Sequence, residues 1–246
     1  MTSFPVYNIK CLTRETFFEE TKMKPIDTWA KIQNEEDVMN DHHAPFWRAI
    51  ISQMTESDLH NASVLDFGCN QGGFLRTLFR MKPFKKGLGV DLAVKSLEKA
   101  DSLKGNMPLQ YTTPDILDSM NAEFDTAFSH DVIYLLPDLN EHAEIIKRVL
   151  KPNGVYYAAT GCYAEMPLWP VWKKEVESYS NVPLPDYSIN DFAKAFWKAG
   201  FDVAVQKCIP QGFITCWPDR ETYFPQVTDF LKYYDYKIIF RFSKKD

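Results

Sequence analysis

Two carboxylates and a glycine-rich turn carry the clearest chemistry in this chain. Val64-Leu65-Asp66-Phe67-Gly68-Cys69-Asn70-Gln71-Gly72-Gly73-Phe74 reads as an apolar strand ending in a carboxylate, then a turn that opens an apolar-patterned helix. Glycine lets the backbone turn sharply and approach a ligand closely, and the first N–H groups of the following helix point outward with a partial positive charge. That suits a nucleoside cofactor. A dinucleotide loop wants glycine at its first, third and sixth positions, and here the third is Asn70, which weakens that reading. Asparagine tolerates left-handed backbone better than most residues, so the departure is mild. Asp91 ends Leu88-Gly89-Val90-Asp91 at a distance of 25 positions from Asp66. A carboxylate so placed can accept hydrogen bonds from both hydroxyls of a ribose.

A third group of polar residues lies in Phe124-Asp125-Thr126-Ala127-Phe128-Ser129-His130-Asp131. Histidine changes charge near neutral pH, so His130 at a strand end can act as a base or simply position a ligand. Tyr134, one turn on, can line the same wall or pack in the core. His42, His43, His60 and His142 form no metal set with nearby carboxylates: in Asp41-His42-His43 adjacent side chains do not share a helix face, and no third ligand is spaced to join them. No metal is expected. Phe46 and Trp47 either close over a ligand or form the buried face of an amphipathic helix. Trp169 and Trp172 have the same two readings, an acceptor wall or core packing.

These residues need a scaffold that brings strand ends together. Strand-like runs span 63–67, 87–91, 109–111, 124–129 and 155–160, and helix-patterned segments cover 45–54, 73–80, 93–103 and 139–150. Such alternation predicts βαβ units in a parallel sheet with helices on both faces. Lys151-Pro152-Asn153-Gly154 predicts a turn. A helix over 188–199 starts at a Ser188 cap and stops at Gly200, and strands over 201–208 and 236–242 bring the number to seven. In an open parallel sheet the ligand crevice lies beyond the carboxyl ends of the strands, where strand order reverses.

Asp66, Gly68 and Gly72 match the acidic-x-Gly-x-Gly-x-Gly motif I of class I S-adenosylmethionine-dependent methyltransferases, with Asn70 departing, and the chain resembles that family from about residue 62 to its end. The resemblance implies an α/β, Rossmann-like, seven-stranded, mostly parallel sheet with the last strand antiparallel. It implies S-adenosylmethionine as cofactor and S-adenosylhomocysteine as product. By the same resemblance Asp66, Gly68, Cys69, Asn70 and Gly72 cradle the methionine side, Asp91 meets the ribose, and Leu92 flanks the adenine. Asp115 and Ile116 read the adenine edge, and Ser129 and His130 stand at the methionine end. His130 and Tyr134 are the candidate catalytic residues. The expected organisation is one domain over 1–246: an N-terminal cap (1–43), a cofactor core (62–160), a substrate cap (161–186) and the remainder of the core (187–246). The expected reaction is in-line methyl transfer to an oxygen or nitrogen of a small molecule. Protein or RNA methylation, a nucleotide-dependent oxidoreductase, and a non-catalytic cofactor-binding module are the alternatives.

Composition narrows the partners. At 246 residues with a net charge of −5 and a pI near 5.6, the chain has no general attraction for phosphate backbones or anionic membranes. Neither nucleic acid nor membrane is expected as a partner. The basic run Arg80–Lys86 reads as a solvated loop. Five scattered cysteines without a C-x-x-C pair indicate neither a disulfide framework nor a zinc site. The start MTSFPVYNIK lacks an apolar signal core, and no stretch approaches the roughly 18 apolar residues of a membrane span, so the expected location is cytoplasmic.

Overall fold

A strand segment buried on both faces is stable only when both faces are covered, and the second half of the central strand, from Ser63 to Asp66, is such a segment. In a computed structural model that describes residues 24–31, 35–210, 212–213 and 226–245, β1 (Leu59–Phe67) has Val64 and Leu65 fully buried. It pairs in parallel with β2 (Phe84–Val90) on one side and β4 (Phe124–His130) on the other. The full sheet, with β3 (Leu109–Thr112), β5 (Leu150–Thr160), β6 (Phe201–Lys207) and β7 (Ile238–Lys244), has the order β3-β2-β1-β4-β5-β7-β6. Only β7 runs antiparallel to its neighbours, as expected for the last strand. The order reverses between β1 and β4, which places the crevice at the ends of Phe67 and His130.

Helices α2 (Gly73–Met81), α3 (Val94–Leu103), α4 (Leu139–Val149) and α6 (Ile189–Lys198) follow the predicted pattern within a residue or two. The α6 start is a reciprocal capping box between Ser188 and Asp191, and Gly200 at φ 90° ends it. The elements differ from the sequence pattern at five places. α1 runs from Glu35 to Gln53 with Pro45 inside it, so residues 35–43 belong to this helix rather than to a separate cap. Proline normally marks a helix start, which is why the pattern begins there. Residues 151–154 form a bulge in β5, with Phe124 opposite Leu150 and Thr126 opposite Val155, rather than a turn before it. The substrate-cap interval contains the helix α5 (Trp169–Tyr179), and α7 (Val227–Tyr236) precedes the last strand; neither was anticipated. The basic run is not a loop throughout, since α2 reaches Met81 and β2 starts at Phe84; Lys85 and Lys86 are its exposed strand residues.

A short strap lies across the top of this sheet. Ile26 makes a parallel bridge to Ala93, donating to Leu92 O at 2.9 Å and accepting from Val94 N at 2.9 Å. Four residues on, Ala30 bridges Ser180, and Trp29 O accepts from Asn181 N at 3.0 Å. The strap thus ties the end of β2 to the segment after α5. The first 23 residues of the expected N-terminal cap lie outside the described residues.

Candidate active site

The glycine loop is held by its neighbours before any ligand arrives. Gly68 and Gly72 have φ of 77° and 69°, and a Cβ on them would stand 2.3 Å from the Val132 side chain and 2.4 Å from the Tyr111 hydroxyl oxygen, respectively. Both positions therefore require glycine on conformational and steric grounds. Asn70 takes up φ 46°, the left-handed geometry its side chain tolerates. Its backbone N–H donates to Asp91 Oδ2 at 2.7 Å, and its Oδ1 accepts from Gln71 N at 2.6 Å. Ala93 N donates to Asp91 Oδ1 at 2.9 Å. The residue that departs from the motif is thus the one that links the two strand-end loops, and Asp91 is oriented by backbone from both sides. Cys69 is only 5% exposed and its sulfur faces Gly89 beneath the loop, so it offers a ligand its backbone alone.

Asp66 is 2% exposed, and its Oδ2 has no hydrogen-bond partner among the described residues. Burial first, and then the charge of Asp91, push its carboxyl well above the usual range, so it is held neutral. An orphaned buried oxygen beside a glycine cradle fits a ligand that brings its own donor, such as an ammonium. Leu92 stands at the end of β2 with its carbonyl taken by Ile26. Asp115 and Ile116 lie on a 3-10 turn (Pro114–Ser119) after β3, both exposed, with the Thr113 hydroxyl donating to Asp115. They follow β3, two strands from β1 in the sheet order.

Ser129 and His130 point to opposite faces, as consecutive strand residues must. The Ser129 hydroxyl lies 2.6 Å from Tyr156 OH, which in turn is 3.1 Å from His142 Nε2, all buried. Its side chain therefore belongs to the core beneath α4. Tyr134 is likewise a packed residue, 5% exposed with its ring edge-on to Trp169. Trp169 donates to Asp186 Oδ1 at 2.8 Å and Trp172 packs on Tyr233, which is the core-packing reading of both tryptophans.

His130 meets α1. Trp47 Nε1 donates to His130 Nδ1 at 3.3 Å, and Phe46 stacks on the ring at 5.9 Å. Indole is a donor only, so Nδ1 is the acceptor and the neutral ring carries its proton on Nε2. That nitrogen lies 3.3 Å from Asp131 Oδ2, although off line for a hydrogen bond, and has no other partner among the described residues. Lys237, with no exposed surface, donates to the same Asp131 oxygen and stands 2.9 Å from Tyr233 OH, with Phe46 at 4.8 Å providing a cation–π face. His43 Nε2 approaches Asp131 Oδ2 to 3.9 Å, and its ring sits edge-on to that of His130 at 4.6 Å.

Charge explains the protonation states. Burial opposes ionisation of Asp131, but Lys237, with His130 and His43 behind it, outweighs burial and holds the carboxyl below its usual range. Burial and then Lys237 push His130 well below its ordinary value, with Asp131 pulling the other way. His43 is lowered to about 4, chiefly by burial against the pull of Asp131. Sequence reasoning did not foresee that His43 joins His130 and Asp131. Their ligand atoms come within 4.8 Å of one another, a spacing that suits a metal. The tautomer set by Trp47 puts a proton on the His130 nitrogen a metal would need, and Lys237 already donates to the Asp131 oxygen that faces the two histidines. The one available signal for Lys237 was a lone cation inside the apolar run Tyr236-Lys237-Ile238-Ile239-Phe240.

A switch-point crevice with a glycine cradle, an orphaned acid and a pre-oriented strand-end carboxylate defines a Rossmann-like nucleoside-cofactor site. A family model described as a methyltransferase domain matches residues 58–187, and the chain belongs to that family. It is an S-adenosylmethionine-dependent methyltransferase. Among curated proteins it is similar to a ubiquinone biosynthesis O-methyltransferase of Bartonella tribocorum, 27% identical over 104 residues, which is 41% of each chain. Among solved structures it resembles the complex between the Haloferax volcanii Trm112 methyltransferase activator and a methyltransferase, with TM-score 0.75, 20% identity, and 87% and 95% of the two chains covered. It also resembles Haemonchus contortus phosphoethanolamine N-methyltransferase 2 bound to S-adenosylmethionine, with TM-score 0.63, 17% identity, and 86% of this chain and 57% of that one covered. At these identities the structural likeness establishes the fold.

Proposed function

We propose that the chain methylates an oxygen or nitrogen of a small molecule, in the cytoplasm, with its cofactor seated between Asp66, Gly68, Asn70, Gly72, Asp91 and Leu92. The observation that carries this reading is what stands beside the strand ends: the 24–31 strap, bridged to Ala93 after β2 and to Ser180 after α5, and the buried Phe46, Trp47 and His130 at the end of β4. Elements that cross the strand ends favour a compact acceptor over a folded protein or duplex. The net charge of −5 adds nothing for RNA.

Bound S-adenosylmethionine supplies a methyl carbon activated by a positive sulfur. Asp91 receives the ribose hydroxyls on a carboxylate already aimed by Asn70 and Ala93. Asp66 faces the ammonium of the methionine end and ionises as that charge arrives. Asp115 and Ile116 border the adenine, and Cys69 and Ser129 contribute backbone. The remaining wall excludes water and aligns the acceptor, a contribution on the order of 7–11 kcal/mol for well-oriented reactants. The test is methyl transfer from labelled cofactor into a cell extract split by a small-molecule cut-off membrane. Label in the small fraction supports the proposal, and label confined to protein or RNA overturns it.

A further inference from the structure

The cluster at the end of β4 contains two histidines, and they are placed differently. His130 is enclosed, with Nδ1 accepting from Trp47 and Nε2 turned to Asp131. Its side chain is 5% exposed, against 28% for His43, and the other members, Asp131 at 12% and Lys237 at none, are likewise enclosed. Among the described members of the cluster His43 is the most exposed. The His43 ring turns Nε2 toward Asp131 at 3.9 Å, so Nδ1, on the other side of the ring, faces away from the carboxylate. Among the described residues no hydrogen bond engages either nitrogen.

We propose that His43 takes the proton released by the methyl acceptor, that Asp131 holds the charge so created, and that the acceptor is therefore a hydroxyl compound. This rests on the methyltransferase site described above. His43 lies on α1, outside the residues 58–187 that the family model matches. In the step itself the acceptor oxygen bonds to the methyl carbon, and the carbon–sulfur bond breaks with its electron pair kept by sulfur. The hydroxyl proton passes to His43 Nδ1, then to water on the exposed side of the ring.

A proton acceptor placed here serves only an acceptor group that must lose a proton. Burial disfavours the charged form of His43 most; of the groups around it Asp131 favours that form, Lys237 and His42 disfavour it, and the neutral His130 ring stands edge-on at 4.6 Å. A base held at about 4 is free of its proton at neutral pH but too weak to ionise a hydroxyl beforehand. It has no need to. As the oxygen–carbon bond forms, the oxygen gains positive charge and its proton becomes strongly acidic, so a weak base suffices at that moment. An alkylammonium product would hold its proton against such a base, and a carboxylate acceptor has none to lose. Asp131 is a positioning residue: pinned by Lys237, it places its charge 3.9 Å from His43 Nε2, where it offsets the imidazolium.

The experiment uses the full chain saturated with S-adenosylhomocysteine. Five histidines give a tractable 15N histidine spectrum, assigned with His43→Gln. At pH 7 His43 is expected to be neutral with its proton on Nε2, and added phenol, the hydroxyl probe, should shift its Nδ1 resonance without moving His130. A His43 that is charged at pH 7, protonated on Nδ1 or indifferent to phenol overturns the inference. With S-adenosylmethionine and a panel of phenols, alcohols and amines, any hydroxyl turnover should fall about 10²- to 10⁴-fold in kcat in His43→Gln with the cofactor KM unchanged. A loss under threefold, or amines as the sole acceptors, also overturns it. Failure of S-adenosylhomocysteine to bind would instead fail the site assignment, so the two are distinguishable.

Discussion

Replacing His142 by phenylalanine should make the protein more resistant to acid, by an amount the structure sets. His142 is 3% exposed, packed edge-on to Phe67 at 4.6 Å, with Nε2 on Tyr156 and Nδ1 without a partner among the described residues. Burial alone lowers its pKa from 6.5 to about 3. In the folded protein it stays neutral down to that value, while in the unfolded chain it binds a proton as pH falls through 6.5. The unfolded state thus holds more protons between those two values, and stability drops as pH is lowered through that window. Between pH 7 and pH 5 the linkage amounts to about 2 kcal/mol for this one residue. Phenylalanine keeps the ring packing and removes the titration; Tyr156 retains Ser129 as a partner. Urea unfolding of both proteins at the two pH values isolates the residue, because all other titrating groups cancel in the difference. Wild type should lose about 2 kcal/mol more than His142→Phe. Equal losses would refute the claim that His142 is buried and neutral.

Two further substitutions test the site's construction. Asn70→Ala, at φ 46°, should destabilise the loop by about 1–2 kcal/mol and weaken S-adenosylhomocysteine binding, whereas Asn70→Gly should restore stability, as read by thermal unfolding and titration. Lys237→Met strands a buried carboxylate at Asp131 and should cost about 3–5 kcal/mol in chemical denaturation, with Lys237→Met/Asp131→Asn recovering part of it.

The sheet was legible because its strands are short apolar runs separated by helical periods, a local pattern that tertiary contacts reinforce. Asp66, Gly68, Asn70, Gly72 and Asp91 were legible for the same reason: each sits where one strand meets its own following turn. Ser129 was placed correctly along the chain, but the Tyr156 and His142 partners that turn its hydroxyl into the core come from β5 and α4. What sequence could not supply was the meeting of His43, Asp131 and Lys237, three residues from α1, the end of β4 and the start of β7. Pro45 hid the first by imitating a helix start, and a lysine before an apolar strand reads as solvated until its carboxylate is found.

The most direct test of the central claim, that the methyl donor sits between Asp66 and Asp91, is calorimetric titration of S-adenosylhomocysteine into the full chain and into Asp91→Ala. Binding to the wild type should be weakened about 10- to 150-fold in the variant, from the loss of roughly 1.5–3 kcal/mol of hydrogen bonding to a charged group. No binding to the wild type, or equal affinity in both proteins, would contradict it.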